Sequence, residues 1–146
     1  MNIELTTSPT PEDAKTISQG LVNFNRAAVK ELGPPEDELK FSIFARDDDG
    51  TVVGGLRAVC FWNTLHVELL WLEESIRGQG LGSSMLQKAE DYAREKCYGL
   101  ALLESTDWQA KEFYEKQGYD VMGSLDDYPR GHTTHFLTKK LLEGDN

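Results

Sequence analysis

Apolar residues recur at helical spacing in two long stretches and alternate with polar ones in several shorter stretches. This is the pattern of amphipathic helices mixed with half-buried strands. Residues 2–6 alternate and predict a first strand. Thr10-Pro11-Glu12-Asp13 then supplies a capping hydroxyl, a first-turn proline and two carboxylates at a positive helix end. Ile17, Leu21, Phe24, Ala28 and Leu32 continue that helix, and Gly33-Pro34-Pro35 stops it. Residues 39–46 alternate as a strand, with Phe41, Ile43 and Ala45 on one side and Ser42 and Phe44 on the other. Asp49-Gly50 marks a hairpin turn before Val52 and Val53. The β-rich stretch 51–72 breaks near Asn63-Thr64, where a second hairpin turn fits.

The second helical pattern carries Leu81, Met85, Leu86, Ala89, Tyr92, Ala93 and Cys97, with Lys88, Glu90, Asp91, Arg94 and Glu95 on the outer face. Gly99 closes it, and residues 100–103 form a short, continuously apolar strand of the buried kind. Asp107 caps a further helix through Lys116, ended by Gly118. Residues 119–125 and 132–139 predict a closing antiparallel pair joined by the turn-rich segment 126–131. The order β-α-β-β-β-α-β-α-β-β gives an α+β fold built on a mixed sheet.

Composition narrows the picture. The length of 146 residues suits one domain, 1–146, with a core that needs no staples. A net charge of −10 argues against nucleic-acid binding, which requires a basic face. The same acidity either draws cationic substrates such as amines or simply keeps the protein soluble. Cys60 and Cys97 are too few for a disulfide framework and predict buried free thiols. No stretch predicts a membrane span, and residues 1–10 lack a basic run followed by an apolar core, so the cytoplasm is the expected location.

The chemistry concentrates in Arg77-Gly78-Gln79-Gly80-Leu81-Gly82, between an apolar strand and an amphipathic helix. Such a turn aims unpaired backbone N–H groups and the positive helix end at one point, which makes an anion site. The glycines permit positive φ and close approach of a ligand, and Ser83 adds a hydroxyl in the first turn. A phosphate loop of the Gly-Lys-Ser/Thr type would need a lysine that is absent here. A dinucleotide fingerprint would need glycine where Ser83 stands.

Leu70-Trp71-Leu72 followed by Arg77-x-x-Gly80-x-Gly82 resembles the strand-and-loop motif of the GCN5-related N-acetyltransferase (GNAT) family. Downstream, Asp107-x-x-Ala110-x-x-Phe113-Tyr114-Glu115-Lys116-Gln117-Gly118-Tyr119 resembles that family's second motif. The resemblance implies the acyl-CoA N-acyltransferase fold: a twisted, mostly antiparallel mixed sheet flanked by helices and splayed in the middle, with acetyl-CoA in the splay. It implies that Arg77, Gly78, Gln79, Gly80, Leu81, Gly82 and Ser83 hold the pyrophosphate. It also implies that Leu70, Trp71 and Leu72 pair with the pantetheine arm like an added strand. Asp107 stands where the family usually has asparagine, so it contacts the cofactor differently or serves only as a helix cap; Gln109 is the other nearby amide source.

The resemblance further implies acetyl transfer to an amine, with Tyr114 near the cofactor sulfur as general acid. Glu68 lies in an apolar strand, where a carboxylate is expensive to bury without purpose or partner. It is the candidate base, with His66 and a water chain as alternatives. Strand alternation places His66 and Glu68 on one face with Leu70 and Leu72. The acceptor site is expected between the first helix, the hairpin near Trp62 and the 128–132 turn, which makes Phe24, Asn25, Trp62, His66, Tyr128 and His132 candidate substrate contacts. His132 and His135 are not a metal pair, because in a strand they point to opposite faces, and no metal is expected. The expected partners are acetyl-CoA and an amine, most simply of a small molecule, and dimers are common in the family. A protein acetyltransferase and a non-catalytic acyl-CoA sensor or interaction domain are the alternatives.

Overall fold

A computed structural model describes residues 1–33 and 37–143. The chain divides into two compact units, Met1–Asp37 and Glu38–Asn146, each taken by itself below.

The first unit holds helix α1 (Pro11–Ala28), whose start follows the predicted cap: Thr10 Oγ1 accepts the Asp13 N–H at 3.1 Å. The helix ends at Ala28 instead of Leu32, because the β-branched Val29 takes an extended φ of −132°. Pro34 and Pro35 of the predicted stop lie outside the described residues. Residues 2–6 form no strand; a strand needs a ladder partner, and the described residues of this unit contain none.

The second unit contains β1 (Leu39–Arg46), β2 (Val52–Phe61), β3 (Thr64–Leu72), α2 (Leu81–Glu95), β4 (Leu100–Thr106), α3 (Lys111–Lys116), β5 (Asp120–Asp126) and β6 (Thr133–Lys140). They build one six-stranded sheet in the order β1-β2-β3-β4-β6-β5, antiparallel except for the β3–β4 pair. Both predicted hairpins form. Asp47 closes the first by accepting the Asp49 and Thr51 N–H groups at 2.9 Å, with Gly50 at φ +81°. Trp62 and Asn63 make the second in the left-handed region.

The core lies on one face of the sheet, where Leu56, Ala58, Cys60, Leu65, Val67, Ala101, Leu103 and Leu137 meet Leu86, Ala89 and Ala93 of α2. Burial pushes the Cys60 thiol up to about 11, as for an inert core residue. Cys97 is exposed, contrary to expectation, since it follows α2 in the left-handed region at φ +68°.

Glu90 departs most from the helical-wheel reading. Assigned to the outer face of α2, it is 1% exposed. Its carboxylate accepts the Tyr119 hydroxyl and the Lys139 ammonium, each at 2.8 Å, and faces Arg94 at 3.5 Å. Lys139 also donates to the Gln117 carbonyl, so one buried charge ties α2 to β6 and to the segment that follows α3.

Candidate active site

Strands β3 and β4 are paired only at one end, Thr64–Val67 against Leu100–Leu103. Beyond that point β4 stays with β6, while β3 stays with β2. A bulge in β3 marks the parting. Arg57 faces Leu69 and Ala58 faces Val67, so Glu68 is the extra residue. The expected alternation fails here. Leu70 lies opposite Leu56, on the core face with Leu65 and Val67, while His66 is on the other face. Glu68 and Leu69 are both exposed.

The parted strands leave a cavity of about 310 Å³ lined from β3 by Glu68 and from β4 by Glu104, Ser105 and Thr106. Gln109, Tyr128, Pro129 and Thr134 complete the lining. Glu68 faces Arg57 at 3.7 Å. Glu104 was not singled out as a site residue, although a carboxylate ending the apolar run 100–103 carried the same signal as Glu68. Thr134 became visible only through topology: its hydroxyl donates to the Tyr128 carbonyl and fastens the turn to β6.

The glycine loop joins the open end of β3 to α2 through a short 3-10 turn, Glu74–Ile76. Gly78 and Gly80 have φ of +78° and +81°, where a side chain would be strained, and Gly80 caps α2. Arg77 Nε donates to the Leu72 carbonyl at 2.9 Å and fixes the loop to the strand it leaves. The N–H groups of residues 78–83 have no acceptor among the described residues, whereas the next, Ser84, bonds to the Gly80 carbonyl. Six consecutive N–H groups without an acceptor at a helix N-terminus are the elements from which an anion site is built.

Helix α3 abuts this region. A Cβ on Gly82 would sit 3.3 Å from Phe113 Cζ, so glycine lets the two helices approach. The approach of Phe113 to Gly82 brings the two sequence motifs together, and Phe113 packs edge-on against Tyr114 with ring centroids 5.1 Å apart. Tyr114 is 8% exposed, and burial pushes its hydroxyl up to about 12. That hydroxyl makes no hydrogen bond to the described residues.

Asp107 is not a helix cap. Helix α3 begins four residues later, and the Ser105 hydroxyl accepts the Ala110 N–H instead. The Asp107 carboxylate meets His132 Nδ1 at 3.0 Å and accepts the Thr133 N–H at 3.2 Å. Desolvation acts to raise this carboxyl, but the Thr133 N–H and then His132 outweigh it and hold the group below the usual range. Gln109 uses its side-chain carbonyl to accept the Thr106 N–H. Tyr128 lines the cavity and donates its N–H to the His132 carbonyl.

Of the remaining candidates, Trp62 and His66 are not among the residues that line this cavity. Trp62 sits in the β2–β3 turn, at the closed end of the strand pair and away from the cavity. His66 stacks on Phe61 at 4.2 Å with its Nε2 buried and unpartnered, and desolvation lowers its pKa. Phe24 and Asn25 belong to α1 in the first unit.

The acetyltransferase (GNAT) family model matches residues 9–119, which include the glycine loop and α3. The chain belongs to the GNAT acetyltransferase family. Blasticidin-S acetyltransferase of Streptomyces morookaense is 40% identical over 85% of this chain and 90% of that protein. An acetyltransferase structure from Bacillus cereus ATCC 14579 superposes with a TM-score of 0.83 at 32% identity, covering 94% of this chain and 97% of that one. A putative streptothricin acetyltransferase from Bacillus anthracis, in complex with acetyl coenzyme A, shares the fold at a TM-score of 0.62 and 19% identity, over 69% of this chain and 62% of that one. The six-stranded mixed sheet with its parted β3 and β4 is thus the GNAT fold. In this acetyltransferase the family match ends at Tyr119, so the turn that carries Tyr128 and His132 lies beyond it. No helix among the described residues is long and apolar enough to cross a membrane.

Proposed function

We propose that this enzyme transfers the acetyl group of acetyl-CoA to a primary amine of a small cationic molecule. The observation that carries the reading is the run of six unpaired N–H groups, 78–83, at the start of α2 and the open end of β3. A pyrophosphate there meets donors that water alone would otherwise satisfy, and its charge meets the positive helix end. The unpaired edge of β3 at Leu70, Trp71 and Leu72 suits the pantetheine amides, which leads the thioester toward the cavity.

The amine attacks the thioester carbonyl, a tetrahedral oxyanion forms, and the thiolate leaves. The oxyanion takes a backbone N–H of β3 near Leu70. Tyr114 meets the departing sulfur; with its hydroxyl at about 12 it is fully protonated at neutral pH, so it enters as a donor. Glu68 and Glu104 give the cavity a negative lining, which draws an ammonium group to the carbonyl. The volume of about 310 Å³ suits a small acceptor. The relative named for blasticidin-S, a small molecule, supports the same substrate class. We also take residues 1–146 as one N-acetyltransferase domain, since the family match crosses both units, and place it in the cytoplasm, which suits two free thiols.

The test is a panel of small amines, blasticidin S among them, and lysine-bearing peptides, assayed for thiol release from acetyl-CoA. Acetylation of a small amine is the expected outcome. Turnover of peptides alone would move the enzyme to protein substrates, and binding of acetyl-CoA with no turnover would make it a sensor.

A further inference from the structure

We propose that His132, oriented by Asp107, is the general base of this acetyltransferase, taking the proton from the attacking amine at Nε2. The inference rests on the acetyl-transfer reading above and adds the group that reading lacks. Asp107 engages Nδ1 through one oxygen and the Thr133 N–H through the other, so the carboxylate is clamped from two sides. An ionised carboxylate only accepts, so Nδ1 carries the hydrogen and Nε2 keeps its lone pair. Trp108 packs edge-on against the imidazole at 4.9 Å and fixes the ring from a third direction.

The pair adjoins the cavity without lining it: Thr106 and Gln109 flank Asp107 in sequence, Pro129 and Thr134 flank His132, and these four residues line the cavity. The His132 N–H donates to the Pro129 carbonyl at 2.9 Å and closes the turn between these two positions. His66 is less suited, because its Nε2 is enclosed and out of contact with solvent. Glu68 already faces Arg57, and its charge serves to attract the ammonium.

The ammonium drawn into the cavity first gives one proton to solvent. The neutral amine nitrogen then bonds to the thioester carbonyl carbon, and a second N–H proton passes to His132 Nε2. The C–S bond breaks with its electron pair on sulfur, which takes the Tyr114 proton. The His132 proton then returns to the Tyr114 oxygen through solvent, leaving an amide and a free thiol. Of the titratable groups on the elements that carry the pair, Asp126 accepts the Thr133 hydroxyl, Asp127 accepts the Gly131 N–H, Arg130 lies in the same turn and His135 on β6, while Glu68 and Glu104 line the adjoining cavity. Among the described residues, only Asp107 hydrogen-bonds to the ring.

The experiment is the pH profile of kcat for the whole protein with acetyl-CoA and the best amine of the panel, with acetyl-CoA affinity measured separately by calorimetry. H132Q should lower kcat about 100-fold or more, erase the acid limb and leave acetyl-CoA affinity unchanged. D107N removes the negative charge beside the imidazole, so it should keep a limb, shift it to lower pH and lower kcat less than H132Q does. Wild-type turnover with an H132Q profile like that of the wild type would overturn the dyad while leaving the acetyl-transfer reading standing. A D107N limb that stays in place would overturn the role given to Asp107. If no amine turns over although acetyl-CoA binds, the acetyl-transfer reading itself falls, and the base with it.

Discussion

Replacing Glu90 by alanine removes the carboxylate on which three elements converge. The side chain is 1% exposed and accepts from Tyr119 and from Lys139 at 2.8 Å, with Arg94 at 3.5 Å. Its loss strands the buried Tyr119 hydroxyl and leaves Lys139, among the described residues, with the Gln117 carbonyl and the Tyr119 ring, 5.5 Å from its ammonium. Removing one partner of a buried ion pair costs about 3–5 kcal/mol. For a chain of this size that corresponds to a fall of roughly 10–15 °C in melting temperature. E90Q keeps the volume and an acceptor for Tyr119 and should lose about half as much, since a hydrogen bond to a charged group contributes about 1.5–3 kcal/mol. Combining Glu90→Leu with Lys139→Met should recover much of the loss, because desolvating the pair offsets most of its attraction. Urea denaturation followed by circular dichroism measures all three. An E90A loss below about 1 kcal/mol would refute the view that this charge holds α2, β6 and the segment after α3 together.

Other consequences are equally direct. Gly80→Val places a β-branched side chain at φ +81°, which should cost about 1–2 kcal/mol and weaken acetyl-CoA binding measured by calorimetry. Tyr114→Phe should lower kcat about 100-fold with little change in the KM for acetyl-CoA, and unchanged turnover would remove the tyrosine from the reaction. Burial lowers the His66 pKa, so the folded state resists protonation more than the unfolded one. The stability this group contributes is therefore present above its unfolded value and lost as pH falls through the folded one. Denaturation midpoints between pH 7 and 5 should drop less steeply in His66→Phe than in the wild type.

Local chemistry was legible in the sequence, and long-range pairing was not. The Thr10 cap, the Asp49-Gly50 hairpin and the glycine loop each depend on a few neighbouring residues, and each is found where its pattern stands. The two motifs lie far apart in sequence, yet Gly82 and Phe113 meet because a missing Cβ permits it. The bulge at Glu68 exists only in register with β2, so alternation along β3 alone assigned Leu70 to the wrong face. Glu90 looked like a solvated helix residue because its partners, Tyr119 and Lys139, come from distant elements. Asp107 offered a cap by local pattern, but His132, 25 residues on, engages its carboxylate instead.

The central claim is that residues 78–83 cradle the pyrophosphate of acetyl-CoA, and calorimetric titration of the whole protein with acetyl-CoA tests it most directly. The account predicts saturable one-to-one binding at roughly micromolar to millimolar Kd, weakened in Gly80→Val at unchanged fold. Absence of binding across that range, in protein shown to be folded, would contradict it.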